Sequence, residues 1–215
     1  MVGGDEHHGM QEARIMLGLL ESVERDGAQT QRRLASELGV ALGLVNAYLK
    51  RCVKKGLMKV AQAPARRYAY YLTPQGFAEK ARLTVDYFSH SFAFFRRARS
   101  EYSELFALAV SRGFSRLVLA GASDLAEIAT ICALESGVGI VAVVDKSCTK
   151  SKSVGVPVFG SFDDVTVGFD AVVVTALQDA SEVWCEVRAR YGSERIFVPP
   201  LLGLADQARP SEHAG

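Results

Sequence analysis

The stretch that most restricts the fold is residues 117–145, LVLAGASDLAEIATICALESGVGIVAVVD. It begins with an unbroken apolar run and turns at a glycine. Helix-forming residues follow, then a second apolar run that ends in an acid. Strands apolar on both sides belong in a parallel sheet covered on both faces. Further on, DAVVVTA (residues 170–176) reads as a third strand, SEVWCEVRARYG as a helix and ERIFVP as a closing strand. The alternation predicts an α/β parallel-sheet domain over residues 113–205. Ligands of such sheets bind where strands end at their C-terminal edge. That places the candidate ligand-binding residues at Gly121, Ala122, Ser123, Asp124, Asp145, Lys146 and Thr175. Ser123 or Asp124 is expected to cap the first helix.

The arrangement is Rossmann-like, and Asp145 follows Gly121 by 24 residues, near the spacing of a ribose-binding acid. The glycine fingerprint is incomplete. Ser123 stands at its second glycine, and Asp124 carries a negative charge toward the place a phosphate would take. GASDLAEIA, VAVVDKS and GVPVFGSFDDV resemble the N-terminal domain of sugar-nucleotide acetyltransferases of bacterial glycan pathways, and more loosely CoA-binding domains. The resemblance implies a nucleotide-sugar pocket, without the hexapeptide repeats of the catalytic β-helix. Lys146, Lys150 and Lys152 either hold phosphates from a loop or are simply solvated.

A net charge of +1 conceals a division. Residues 1–100 hold 16 Lys/Arg against 9 Asp/Glu, and residues 101–215 hold 9 against 15. One half is therefore suited to a polyanion and the other is not. In the basic half, apolar residues recur at helical spacing from Met10 to Arg25. Thr30 can cap a second helix, TQRRLASEL, and Gly39 can close it. A third helix starts near Ala41, ALGLVNAYLKRCVKKG. Val45, Leu49 and Cys52 share its inward face, whereas Asn46, Lys50 and Lys54 share an outward one with Arg51 beside it. Two β-favouring runs then flank Gln62–Ala65, with Arg66 and Arg67 near the tip. These elements describe an α+β winged helix-turn-helix domain over residues 10–73, with double-stranded DNA as partner. The candidate DNA-binding residues are Thr30, Gln31, Arg32, Gly43, Asn46, Ala47, Lys50, Arg51, Lys54, Arg66 and Arg67. The stretches LASELGVALGLVNAYLKRCVKKGLMKV and YAYYLTPQGFAEKARLT resemble MarR-type winged-helix transcription factors, in particular the subgroup associated with exopolysaccharide gene clusters. That resemblance implies a sequence-specific, dimeric regulator.

Thr73-Pro74 is a strong helix start. Beyond it Ala78, Val85, Phe92, Arg99 and Phe106 step by seven, as do Ala81, Phe88, Phe95, Tyr102 and Ala109. The two rows form the seam of a coiled coil. The expectation is a long linking helix over residues 74–112 that makes a homodimer through residues 78–109. Residues 101–112 could instead cover the C-terminal sheet.

Four scattered cysteines, Cys52, Cys132, Cys148 and Cys185, fit reduced thiols in a cytoplasmic protein. The first ten residues lack a basic region followed by an apolar run, so no secretory signal is expected, and no apolar run is of membrane-spanning length. The histidines are His7, His8, His90 and His213, none of them in the sheet domain. No catalytic residues and no metal site are assigned, and the chain is not expected to be an enzyme. The leading expectation is a cytoplasmic transcription regulator modulated by a nucleotide or nucleotide-sugar. The alternatives are a nucleotide-sugar or NAD(H)-using enzyme or redox sensor with an N-terminal recruiting domain, or a sheet scaffold that binds nothing.

Overall fold

The structure is a computed structural model that describes the backbone of residues 3–63 and 67–204, and the side chains of residues 11–62 and 68–204. The chain divides into two compact units, Met1–Phe92 and Ala93–Gly215. Each is treated by itself below. No helix of the described residues is long and apolar enough to cross a membrane.

In the first unit, helices α1 (Gly3–Arg25), α2 (Gln31–Leu38) and α3 (Leu42–Lys54) precede a two-stranded sheet. Strand β1 (Met58–Ala63) pairs antiparallel with β2 (Arg67–Leu72), in register from Met58 opposite Leu72 to Ala63 opposite Arg67. Helix α2 starts where the Thr30 hydroxyl accepts the Arg33 N–H, 3.2 Å away, and stops where Gly39 turns left-handed at φ 64°. Leu19, Leu20, Leu34, Val45, Leu49, Cys52 and Met58 form the center of the core and are essentially unexposed. Burial pushes the Cys52 thiol up to about 11. The hairpin is anchored by a Tyr70 N–H bond to the Gly27 carbonyl at 2.9 Å.

Helix α4 (Pro74–Ser111) is continuous over 38 residues. The Thr73 hydroxyl accepts the Gly76 N–H at its start. The heptad seam on α4 is not uniform. Leu83 belongs to the core of the first unit. Ala98, Tyr102, Phe106 and Ala109 belong to the core of the second, fully buried. Arg99 bonds both carboxylate oxygens of Glu135, at 2.9 and 3.0 Å. Between those stretches Val85, Phe88, Phe92 and Phe95 are exposed. The seam expected over residues 78–109 therefore shortens: its C-terminal third is consumed within the chain.

The second unit holds strands β3 (Arg116–Ala120), β4 (Gly139–Val144), β5 (Lys152–Ser153), β6 (Val156–Phe159), β7 (Ala171–Val174) and β8 (Ile196–Phe197) in the order β5-β6-β4-β3-β7-β8. All neighbors run parallel except the β5–β6 hairpin. Alternate strand residues go to opposite faces. Leu117, Leu119, Val143, Ala171 and Val173 meet α5 (Asp124–Ser136) and the end of α4. Val118, Ala120, Ala142, Val144 and Val172 meet Phe162 and Val187, the latter on α6 (Ala180–Tyr191). The Tyr102 hydroxyl donates to the Val174 carbonyl at 3.0 Å, which explains a tyrosine in that core. All four cysteines are free thiols.

Candidate nucleic-acid interface and strand-end cleft

Helix α3 exposes one face and buries the other. Val45, Tyr48, Leu49 and Cys52 are buried, whereas Gly43, Ala47, Lys50 and Lys54 are exposed and Asn46 is half-buried. Its first turn carries no acid, and Ala41 supplies no side-chain cap. The positive pole of the helix is therefore open to anions. Arg32 and Arg33 on α2 are exposed as well. Among the described residues no ion pair engages Lys50, Lys54, Arg32 or Arg33.

Two predicted DNA contacts are engaged elsewhere. Arg51 bonds Glu12 of α1 at 3.3 Å, because one residue of helix rotates it off the Lys50–Lys54 row and onto α1. Gln31 donates to the Tyr70 hydroxyl at 3.1 Å and ties α2 to β2. Thr30 is exposed, but its hydroxyl caps α2. Residues 64–66, Arg66 among them, and His213 lie outside the described residues, as do the side chains of Arg67, His7 and His8. Leu42 opens α3 and is 43% exposed. It shares the i, i+4 row of Asn46, Lys50 and Lys54, a position that an apolar residue does not advertise in the sequence.

In the second unit a cleft of about 470 Å³ lies at the C-terminal strand ends. Gly121, Ala122, Ser123, Asp124, Asp145 and Lys146 line it. Thr175 does not. It is fully buried, and its hydroxyl donates to the Gly121 carbonyl at 2.6 Å. Its side chain faces the turn from within and takes no part in the cleft lining. Gly121 itself sits at φ 111°, and a Cβ there would lie 2.5 Å from the Ala176 Cα, so no larger residue fits.

The polar groups of the turn are satisfied by the protein. Ser123, rather than Asp124, caps α5: its hydroxyl accepts the Leu125 N–H at 3.1 Å and donates to the Thr175 carbonyl at 2.5 Å. The Asp145 carboxylate accepts the Ala122 N–H at 2.7 Å. It also accepts the Ser147 N–H, the Ser147 hydroxyl and the Cys148 N–H, at 2.8, 2.7 and 3.1 Å. Burial alone would raise the Asp145 pKa, but these hydrogen bonds together outweigh it and hold the carboxyl below its ordinary value. Asp179, Glu182 and Glu186 add acids to the lining that sequence reasoning missed. They come from the segment after β7, and only the sheet order brings it beside the glycine turn. Lys146, the one base among the described lining residues, donates to Glu186 at 2.7 Å. Lys150 and Lys152 are not part of the lining.

No curated protein sequence matches the chain. Residues 13–57, from within α1 through α3, match the family model of winged helix-turn-helix DNA-binding domains. The exposed basic helix, the antiparallel hairpin behind it and this match agree: the N-terminal unit carries a winged helix-turn-helix DNA-binding domain.

Proposed function

We propose that the chain is a homodimeric transcription regulator of the MarR-like kind, cytoplasmic and without catalytic activity, whose Rossmann-like C-terminal unit receives a small effector. The observation that carries the DNA-binding part is the open row of Asn46, Lys50 and Lys54 on α3. Asn can pair with an adenine edge, and lysines reach guanine or phosphate. Val85, Phe88, Phe92 and Phe95 support dimerization, because four large apolar side chains on one helix would otherwise stay in water. Two copies also bind paired half-sites more tightly than one, through effective concentration. The link to exopolysaccharide genes belongs to the same reading and rests on resemblance.

The cleft suggests which effector to test. A dinucleotide or nucleotide-sugar brings phosphates that need free turn amides, and the Asp145 carboxylate already holds the Ala122 N–H. The acids on the lining favor a ligand that presents hydroxyl or ammonium groups. The experiment pairs sedimentation with duplex binding. The full chain should sediment as a dimer and retain promoter duplexes. Phe88→Glu combined with Phe92→Glu should give monomers with weaker duplex binding, and Lys50→Ala should weaken binding without changing the dimer. A monomeric parent, or a parent indifferent to DNA at low salt, overturns the proposal.

A further inference from the structure

We infer that Leu42 is a specificity residue, reading a thymine through its C5 methyl group in the major groove. The inference rests on the DNA-binding reading above and names what that site recognizes. A recognition helix presents its N-terminal residues to the base edges while later residues approach the backbone. The row on α3 therefore has an order: Leu42 first, then Asn46, then Lys50 and Lys54. The lysines at its far end supply charge, which carries affinity but little sequence information. The leading position belongs to a leucine that is 43% exposed.

Leucine has no donor and no acceptor. Set against guanine, adenine or cytosine, it would cover polar edge atoms and leave them unpaired. The thymine methyl is the apolar feature that the major groove offers, and leucine against it removes apolar surface from water on both sides.

Gly43 supplies an independent observation. Gly43 is the second residue of α3, and glycine is a weaker helix former than alanine. A Cβ at Gly43 would meet nothing within 4 Å, so no neighbor within the chain demands glycine there. Ala47, one turn on, is small and exposed as well. A bare strip beside Leu42 lets the α3 backbone come close to a surface outside the chain. That is the approach a leucine side chain needs to touch a base.

The test selects duplexes from a randomized pool with the full chain and then replaces the recurring thymine by deoxyuridine, which removes only the methyl. The parent should lose about fourfold in affinity, the worth of one buried methyl. Leu42→Ala should bind both duplexes equally. Leu42→Gln, with an amide at the same place, should select a different base. Because Leu42 is exposed, neither substitution threatens the fold. Equal binding of thymine and deoxyuridine duplexes by the parent overturns the inference. So does discrimination retained by Leu42→Ala, or unchanged selection by Leu42→Gln. If the parent retains no duplex of any sequence, the DNA-binding reading itself fails, and this inference with it.

Discussion

Replacing Asp145 by asparagine separates a structural carboxylate from one kept ready for a ribose. In the free protein the Asp145 carboxylate accepts from Ala122 on one side, and from Ser147 and Cys148 on the other. Asparagine has one accepting oxygen and one donating NH₂. With the oxygen toward Ser147 and Cys148, the NH₂ opposes the Ala122 N–H, and that partly buried donor loses its partner. The reverse orientation gives up the Ser147 and Cys148 N–H bonds, since only the Ser147 hydroxyl can turn to accept from the NH₂. The cheaper arrangement costs about 2 kcal/mol, the penalty of one orphaned donor that had a charged acceptor.

Trp184 is the sole tryptophan of the chain and is buried on α6, so its fluorescence reports unfolding of the sheet unit. Urea titration at pH 7 should show the variant less stable by about 2 kcal/mol. The pH dependence follows from the depressed carboxyl. Its contribution is complete above the unfolded value of about 4 and fades as pH falls through the lower folded value. The gap between parent and variant should therefore close below about pH 4. Asp124→Asn is the control: Asp124 is exposed and caps nothing, and its change should stay within about 0.5 kcal/mol. An Asp145→Asn protein as stable as the parent at pH 7 would refute the structural role of the carboxylate, and so would a difference that persists undiminished in acid.

Two further outcomes follow. Lys50→Ala and Lys54→Ala should each reduce the slope of log affinity against log salt by about 0.9, measured by fluorescence anisotropy on a duplex. Arg51→Ala, whose guanidinium Glu12 engages, should reduce it less, and an equal change would place Arg51 on the phosphates after all. Tyr102→Phe removes a buried donor to the Val174 carbonyl and should cost the sheet unit about 1 kcal/mol by Trp184 fluorescence, with duplex affinity unchanged.

Much of this was legible in the residues because local chemistry determined it. Thr30 and Gly39 bound α2, and Thr73-Pro74 starts α4, since caps and prolines act through their immediate neighbors. The strands around Leu117, Ile140 and Val172 were legible because a doubly covered strand cannot hide its composition. The β5–β6 hairpin was not. Its strands are two and four residues long, and Pro157 within β6 argues against a strand except at an edge. The partners of Arg51 and Thr175 were not legible, for a shared reason. Residue type and spacing indicate what a side chain can bond, and the nearest partner within the fold is often taken first. Glu12 lies on another helix, and the Gly121 carbonyl is 54 residues away. The acids of the cleft were invisible as a group, since Asp124 and Asp179 become neighbors only through the β3–β7 pairing.

The α4 seam is the more instructive case, because periodicity reports that a face is covered and not by what. A seven-residue repeat of apolar side chains arises when a helix meets a second copy of itself, and equally when it meets its own sheet. Here one repeat covers its own sheet at one end and stands exposed at the other. Tyr102, Phe106 and Ala109 meet the sheet of their own unit, and Arg99 closes that stretch with its bond to Glu135. Upstream of Arg99, the exposed stripe from Val85 to Phe95 extends only about 15 Å along the helix at 1.5 Å per residue. So short a seam buries little of what a stable pair of chains requires. In the proposed dimer the phenylalanines therefore set the alignment of two copies, and paired half-sites supply much of the affinity. Dimerization and operator binding would then be coupled, each strengthening the other by the same factor.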